Sequence, residues 1–215
     1  MLNIPFFLTL YAGFTHAFET DHLLAVSNIV TNRNRTIKAL KDGFYWGIGH
    51  SSTILIIGTI VLLMKFNIEP STFRLFEATV GMLLIFLGIY RIIQWYNRRK
   101  MNPHPPIHKH ETAHNSSHLP AFLVGLVHGL AGSGALLLIV IGKSISIESG
   151  LFYLFLFGIG SVSGMMLAAG TFSLPFSRKI LASTNLQTIL IFISSILCIS
   201  YGILVVVENL FTNGK

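Results

Sequence analysis

Charge is scarce in this chain of 215 residues, in which Asp, Glu, Lys and Arg make up 11% and hydrophobic residues 52%. A soluble domain carries about 25% charged residues, so a single water-exposed globular fold is excluded. Cysteine is scarcer still, because Cys198 stands alone and cannot form an intramolecular disulfide. A transmembrane thiol–disulfide carrier, which needs a pair of cysteines, is therefore disfavoured.

The chain has six long apolar runs instead. Each run is long enough for a helix that crosses a hydrocarbon layer of about 30 Å at about 1.5 Å per residue. Period-two alternation is absent, so helices are expected rather than a barrel. The sequence predicts an all-α integral membrane protein with six transmembrane spans, at Ile4–Val30, Gly43–Met64, Thr72–Tyr96, Leu119–Gly142, Gly150–Phe172 and Leu186–Leu210.

The net charge of +7 comes from basic residues in the connections between these runs. Eleven of the 15 Lys and Arg residues lie in or beside the connections that follow the first, third and fifth runs. Connections rich in Lys and Arg stay in the cytoplasm. The chain is therefore expected in the cell membrane, as a multi-pass protein with both termini outside the cytoplasm, and no nucleic-acid partner is expected.

Short matches relate the two halves of the chain at a spacing of 111 to 112 residues. The segment around His16 matches the segment around His128, and the residues from Trp46 match those from Phe157. Three spans per copy would place the second copy upside down in the membrane, as in many secondary transporters. The sequence thus predicts two inverted three-helix repeats.

The predicted repeats occupy residues 1–96 and 119–215, with a linker at 97–118 between them. This linker contains three prolines and five histidines. It is expected to be an unstructured cytoplasmic segment. It could act as a polar tether or as a low-affinity collector of metal ions.

A stretch of seven residues within the first run contains four ionisable or metal-ligating side chains: His16, Glu19, Asp21 and His22. A charge at the bilayer centre costs about 2.5–3.5 kcal/mol on insertion scales, so such side chains face the bundle interior and usually mark an ion path. A structural ion-pair network is the alternative. On a regular helix, Asp21 would point away from the face that the two histidines share. Unwinding near Glu19 is favoured over two separate stations, or over a carboxylate that only orients an imidazole.

Single histidines in the second and fourth runs extend this pattern. His22, His50 and His128 each lie eight or nine residues from the same membrane face, at a depth of about 12–14 Å. His16 is expected about 9 Å further along the membrane normal. Three imidazoles at one depth can share an ion, although a lone histidine can also simply bond a neighbouring helix. Imidazole with a few carboxylates suits nickel, cobalt, zinc or copper(II) better than magnesium or calcium.

The spacing His16-x4-Asp21-His22 resembles the signature of the nickel/cobalt transporter (NiCoT/NicO-like) family. The segments Gly49-His50-Ser51-Ser52 and Val127-His128-Gly129 extend the resemblance, which is greatest to the six-helix branch of urease-accessory, UreH-like transmembrane proteins. The resemblance implies that His16, Asp21, His22 and His50 handle the metal. It also implies import as the commonest role.

The sequence therefore predicts a permease for Ni²⁺ or Co²⁺ with no covalent cofactor and no enzymatic activity. Its partners would be the lipid bilayer and a divalent transition metal. One alternative is a metal-binding membrane assembly factor for metalloenzyme maturation, with a maturation partner docked on the linker. Another is a permease for a different cation or a small solute.

Reporter fusions test the expected topology. A reporter fused after Lys215 should be active only outside the cytoplasm, because the basic connections hold the opposite face inside. A fusion within the linker, at Pro105, should be active only in the cytoplasm and serves as the matched control. A cytoplasmic signal from the Lys215 fusion would mean a reversed orientation or a miscounted span.

Overall fold

The computed structural model describes residues 3–30, 36–64, 69–101, 117–130, 146–174 and 184–212 of the chain. These residues contain helices and no β-strand, which confirms the all-α class. The helices in chain order are α1 (Asn3–His16), α2 (Thr20–Val30), α3 (Thr36–Met64), α4 (Pro70–Met101), α5 (Leu119–His128), α6 (Ile147–Ser173) and α7 (Thr184–Leu210).

Four of these helices are long and apolar enough to cross a membrane. They are α3, most of α4, α6 and most of α7, and they match the second, third, fifth and sixth predicted runs. A helical membrane protein is thus confirmed. The fourth predicted run contains α5, which has ten residues, and residues 131–145 lie outside the described part of the chain. Residues 102–116 of the predicted linker also lie outside it.

The first apolar run is not one continuous helix. After His16 the backbone makes short-range bonds, from Phe18 N to the Thr15 carbonyl at 2.9 Å and from Glu19 N to the His16 carbonyl at 3.1 Å. A new helix then begins at Thr20. The single span over Ile4–Val30 is therefore corrected to two helices, and the expected unwinding near Glu19 is confirmed. The physical reason is that these N–H groups bond the carbonyl three residues earlier, as in a 3₁₀ turn, and this turn ends α1.

Local chemistry explains several helix boundaries. Asp21 lies in the first turn of α2, where a negative charge interacts favourably with the helix dipole. α4 begins at Pro70, which suits the first helical position because that N–H would lack a partner within the helix. Ser146 precedes α6, and its hydroxyl accepts a hydrogen bond from Ser149 N.

Glycines bring the helix backbones into close contact. Gly13 lies against Phe157 of α6, and Gly125 of α5 lies against Trp46 of α3, both at the partner's carbonyl oxygen. Gly160 packs against Leu10 and, further along both helices, Gly164 packs against Phe14, so α1 and α6 run in the same direction. Small residues at such crossings are typical of membrane helices, which associate through van der Waals packing.

Two other helix pairs run in opposite directions. Gly43 contacts Met165, whereas Ser51 further along α3 donates to the carbonyl of Gly158 at 3.2 Å, so α3 and α6 are antiparallel. α4 and α7 also cross in antiparallel fashion, with Gly81 and Gly202 each against the other's carbonyl. The outer surfaces carry large exposed apolar side chains, such as Ile56, Phe86 and Leu204, as expected for surfaces in contact with lipid.

Gly125 provides a test of the α3–α5 contact. Its replacement by Ala would drive a Cβ into the carbonyl oxygen of Trp46, and overpacking of this kind costs about 1–3 kcal/mol. The variant should therefore lose thermal stability in detergent. Gly158→Ala is the matched control, because its Cβ would meet only the Ser51 side chain at 3.2 Å. Equal stability of the two variants would contradict the assigned contact.

Candidate metal site

The turn between α1 and α2 brings two histidines together. The ring centroids of His16 and His22 are 4.5 Å apart, and both side chains are buried. A separation of about 9 Å between the two histidines, expected from a regular helical rise, therefore does not hold for their rings. That estimate assumed a regular helical rise, whereas short-range hydrogen bonds end α1 after His16 and α2 begins at Thr20.

Each of these histidines is paired with a neighbouring carboxylate. His16 Nδ1 is 3.0 Å from a Glu19 oxygen, and His22 Nδ1 is 2.9 Å from an Asp21 oxygen. An imidazole that donates its Nδ1 proton to a carboxylate keeps a lone pair on Nε2, the arrangement common among metal-ligating histidines. Asp21 is the better shielded carboxylate, since 16% of its side chain is exposed against 40% for Glu19.

His50 completes a group of three imidazoles. Its Nε2 is 3.1 Å from His16 Nε2, so one of the two nitrogens must donate a proton to the other. In the tautomer of His16 that donates Nδ1–H to Glu19, the donor of this bond is His50. A metal ion bound between them would replace this proton. One nitrogen from each of His16, His22 and His50 lies within 4.8 Å of the others.

Two nitrogens of this group are buried without hydrogen-bond partners in the described part of the chain. They are Nε2 of His22 and Nδ1 of His50. A buried polar atom without a partner costs about 1–3 kcal/mol. Coordination of a cation by His22 Nε2 would satisfy this atom, which makes the group a candidate site.

His128 lies beside the three imidazoles. Its ring centroid is 5.3 Å from that of His22, and its side chain is fully buried. The sequence placed His22, His50 and His128 at one depth, and both other rings do contact His22, since the His22–His50 distance is 5.1 Å. No nitrogen of His128 belongs to the set of nitrogens that lie within 4.8 Å of one another, so His128 borders the group.

Two aromatic side chains flank the histidines. The Trp46 ring is 5.6 Å from His22 and 6.0 Å from His128, whereas the Phe157 ring is 5.4 Å from His16. Both are buried. Sequence reasoning matched these residues as repeat partners but did not assign them to the site. For Trp46, its spacing of four residues from His50 on the same helix face could have suggested it.

A further pair was also missed. Asp42 is buried and its carboxylate oxygen is 2.7 Å from Nδ1 of His118. The sequence assigned His118 to the linker and gave Asp42 no role. The only available signal was the rarity of aspartate, which occurs in this chain at positions 21 and 42 alone.

The fold and this group of side chains together define a helical membrane protein with a buried imidazole–carboxylate site. Such a ligand set suits nickel, cobalt, zinc or copper(II). No family model matches the chain, and no solved structure matches it.

The chain is 34% identical to the urease accessory protein UreH of Bacillus sp. (strain TB-90) in an alignment of 208 residues that covers 93% of this chain and 91% of that protein. It belongs to the UreH family. A shorter match of 92 residues, 30% identical, relates it to the nickel transporter NixA of Staphylococcus aureus (strain NCTC 8325 / PS 47) and covers 38% of this chain and 26% of that transporter. The suspected family is thus confirmed. Neither relative is an enzyme, and the chain is not one either.

Substitutions at His22 and Asp21 separate the contribution of a metal ligand from that of a carboxylate that orients a ligand. His22→Ala should abolish nickel binding by the purified protein, because it removes a ligand. Asp21→Asn keeps the shape of the side chain but removes its charge, and should weaken binding about 10–100-fold, as loss of an outer carboxylate does. Equilibrium binding of Ni²⁺ in detergent measures both effects.

Ser163→Ala is the control for these variants. Within the described residues its hydroxyl donates to the carbonyl of Ile159 in the same helix, at 2.9 Å, and the residue is exposed. Binding should be unchanged in this variant. Wild-type affinity in His22→Ala would remove His22 from the site.

Proposed function

We propose that the chain is a permease that moves nickel or cobalt ions across the cell membrane, in the direction of import. The observation that supports this most is the group of His16, His22 and His50 nitrogens within 4.8 Å of one another, buried among apolar helices. Ionisable side chains in such a position usually mark an ion path. A metal ion held there is deeply buried, as expected for a cargo that crosses the protein.

The choice of metal is supported by ligand chemistry and by the relatives. Imidazoles backed by carboxylates favour late first-row divalent ions. The partial relative NixA is named a nickel transporter and UreH a urease accessory protein, and both names favour a nickel-related function for this chain. Cobalt shares the same ligand preference. In this proposal His16, His22 and His50 are ligands, with Asp21 and Glu19 orienting the rings and His128 at the border.

An architecture of six spans in two inverted repeats fits this function. It is supported by contacts that recur at the repeat spacing. Gly13 against Phe157 corresponds to Gly125 against Trp46, and Gly160 against Leu10 corresponds to Gly49 against Phe122. In the proposed arrangement, residues 1–96 and 119–215 form the repeats, and the site lies at their interface, where transporters of this kind bind their cargo.

The proposed orientation places both termini outside and the 97–118 linker in the cytoplasm. Of the basic residues that support it, Lys41 near the start of α3 and Arg99 and Lys100 at the end of α4 are exposed, and Lys38 is partly buried. Arg99 also lies over the Trp95 ring, with 5.2 Å to its centroid. An Arg–Trp pair of this kind is typical of a membrane interface.

A second candidate function is a metal-binding assembly factor for metalloenzyme maturation. The similarity to UreH over most of both chains favours it. Purified protein in liposomes separates the two functions. A permease moves Ni²⁺ into the vesicles without any other protein, whereas an assembly factor moves none and is still required for metalloenzyme activity in cells.

Metal accumulation in cells tests the role of the site residues. His16→Ala, Asp21→Ala and His22→Ala should each reach the membrane in normal amounts and reduce nickel uptake to the level of cells without the protein. The reason is that polar residues at a wet or ion-filled site add little to folding stability. His50→Ala should have the same effect, and His128→Ala a smaller one. Wild-type uptake in the first three variants would refute the assignment.

A further inference from the structure

One face of α3 carries three buried residues at intervals of four. Asp42, Trp46 and His50 have side chains that are 0–1% exposed, and they span two helical turns, or about 12 Å. His50 belongs to the histidine group, and the Trp46 ring contacts His22 on one side of that group. Asp42 is therefore the next ionisable side chain along this face beyond Trp46.

The helix α5 runs alongside α3 in the same direction. Gly125 packs against Trp46 and Gly129 against His50. His118, which immediately precedes α5, meets Asp42, while His128, its last residue, lies at the histidine group. The two helices therefore hold an imidazole at each end of the same interface.

The Asp42–His118 pair repeats the geometry of the two pairs in the candidate metal site. His118 Nδ1 is 2.7 Å from the Asp42 carboxylate, a distance close to the 2.9 Å between His22 and Asp21. A carboxylate that accepts the Nδ1 proton leaves Nε2 of His118 as a metal-binding atom. Asp42 is 1% exposed, whereas the His118 side chain is 21% exposed, so the pair joins the interior to the surface.

The surroundings of His118 hold its ring in place and leave it accessible. Its ring stacks on Tyr45, with 5.1 Å between centroids and an interplanar angle of 4°. The same ring lines a cavity of about 560 Å³ between α3 and α5, with Phe44, Tyr45, Ile48, Leu119 and Phe122. A fixed, partly accessible imidazole backed by a buried carboxylate is suited to bind a cation transiently.

We propose that Asp42 and His118 form a second, weaker station for a divalent transition-metal ion, separated from the histidine group by Trp46. The inference rests on the proposed permease function. An ion on its way between the buried imidazoles and the membrane face at the start of α3 would bind His118 Nε2, with Asp42 holding the ring. One imidazole makes a weaker site than three, and weak successive sites let an ion leave as well as enter.

The test counts bound ions with Co²⁺ as the probe. Purified full-length protein is titrated with Co²⁺ and followed by visible absorption and equilibrium dialysis. In every sample the other linker histidines are replaced by Ser, so that they cannot bind cobalt; these are His104, His108, His110 and His114. The expected result is two ions per chain, one tight and one weak, and the loss of only the weak ion in His118→Gln.

Lys41→Gln is the matched control, because Lys41 precedes Asp42 but is exposed, and it should retain both ions. Asp42→Asn should also lose the weak ion. Should that variant fail to fold, His118→Gln decides alone, because its partly exposed side chain tolerates substitution. One ion in the parent protein, or two ions in His118→Gln, would overturn the inference.

Flux measurements separate failure of this inference from failure of the proposed function. Ni²⁺ entry into liposomes should be slower with His118→Gln than with the parent protein, while the tight Co²⁺ site is unchanged. A parent protein that moves no Ni²⁺ would refute the permease function. A parent and a His118→Gln variant that move Ni²⁺ equally fast would refute only the second station.

Discussion

The interruption of the first apolar segment between His16 and Thr20 is the feature on which the centre of this bundle depends. In a continuous helix, His16 and His22 would be separated by about 9 Å along the axis, and their rings could not share an ion. The turn brings their ring centroids to 4.5 Å. It also starts α2 at a point where Asp21 lies in its first turn and can pair with His22.

The same turn lowers the free-energy cost of burying polar groups in an apolar interior. Each of the buried histidines 16 and 22 has a carboxylate of its own within the turn or at the start of α2. These pairs satisfy one nitrogen of each ring and direct the other toward the group. Asp42 and His118 use the same pairing between helices. Carboxylate–imidazole pairing is thus the recurring way in which this chain keeps ionisable groups inside the bundle.

Close helix packing holds these pairs in register. Gly125 and Gly129 let α5 approach the backbone of α3 at Trp46 and His50, and Gly13 and Gly160 do the same between α1 and α6. Larger residues at these points would separate the helices and move the imidazoles apart. The glycines therefore link the packing of the bundle to the geometry of the site, even though none of them is a ligand.

Much of this protein follows from its sequence alone. The long apolar runs determined the helical membrane class, because the backbone in a bilayer must satisfy its own hydrogen bonds. The boundaries of α3, α4, α6 and α7 differ from the predicted runs by a few residues, except that α3 begins at Thr36 rather than at Gly43. The cluster of His16, Glu19, Asp21 and His22 was evident from its density in an apolar segment.

Only the tertiary structure decided how these residues meet. Periodicity describes a regular helix, so it misplaced His16, whose position depends on a turn that no simple repeat encodes. Periodicity could not predict contacts between distant segments either. Asp42 and His118 are 76 positions apart, and the approach of Trp46 and Phe157 to the histidines depends on how five helices pack. Local sequence determines which segments become helices, whereas the site is formed by side chains from several helices, and their distances are set by packing.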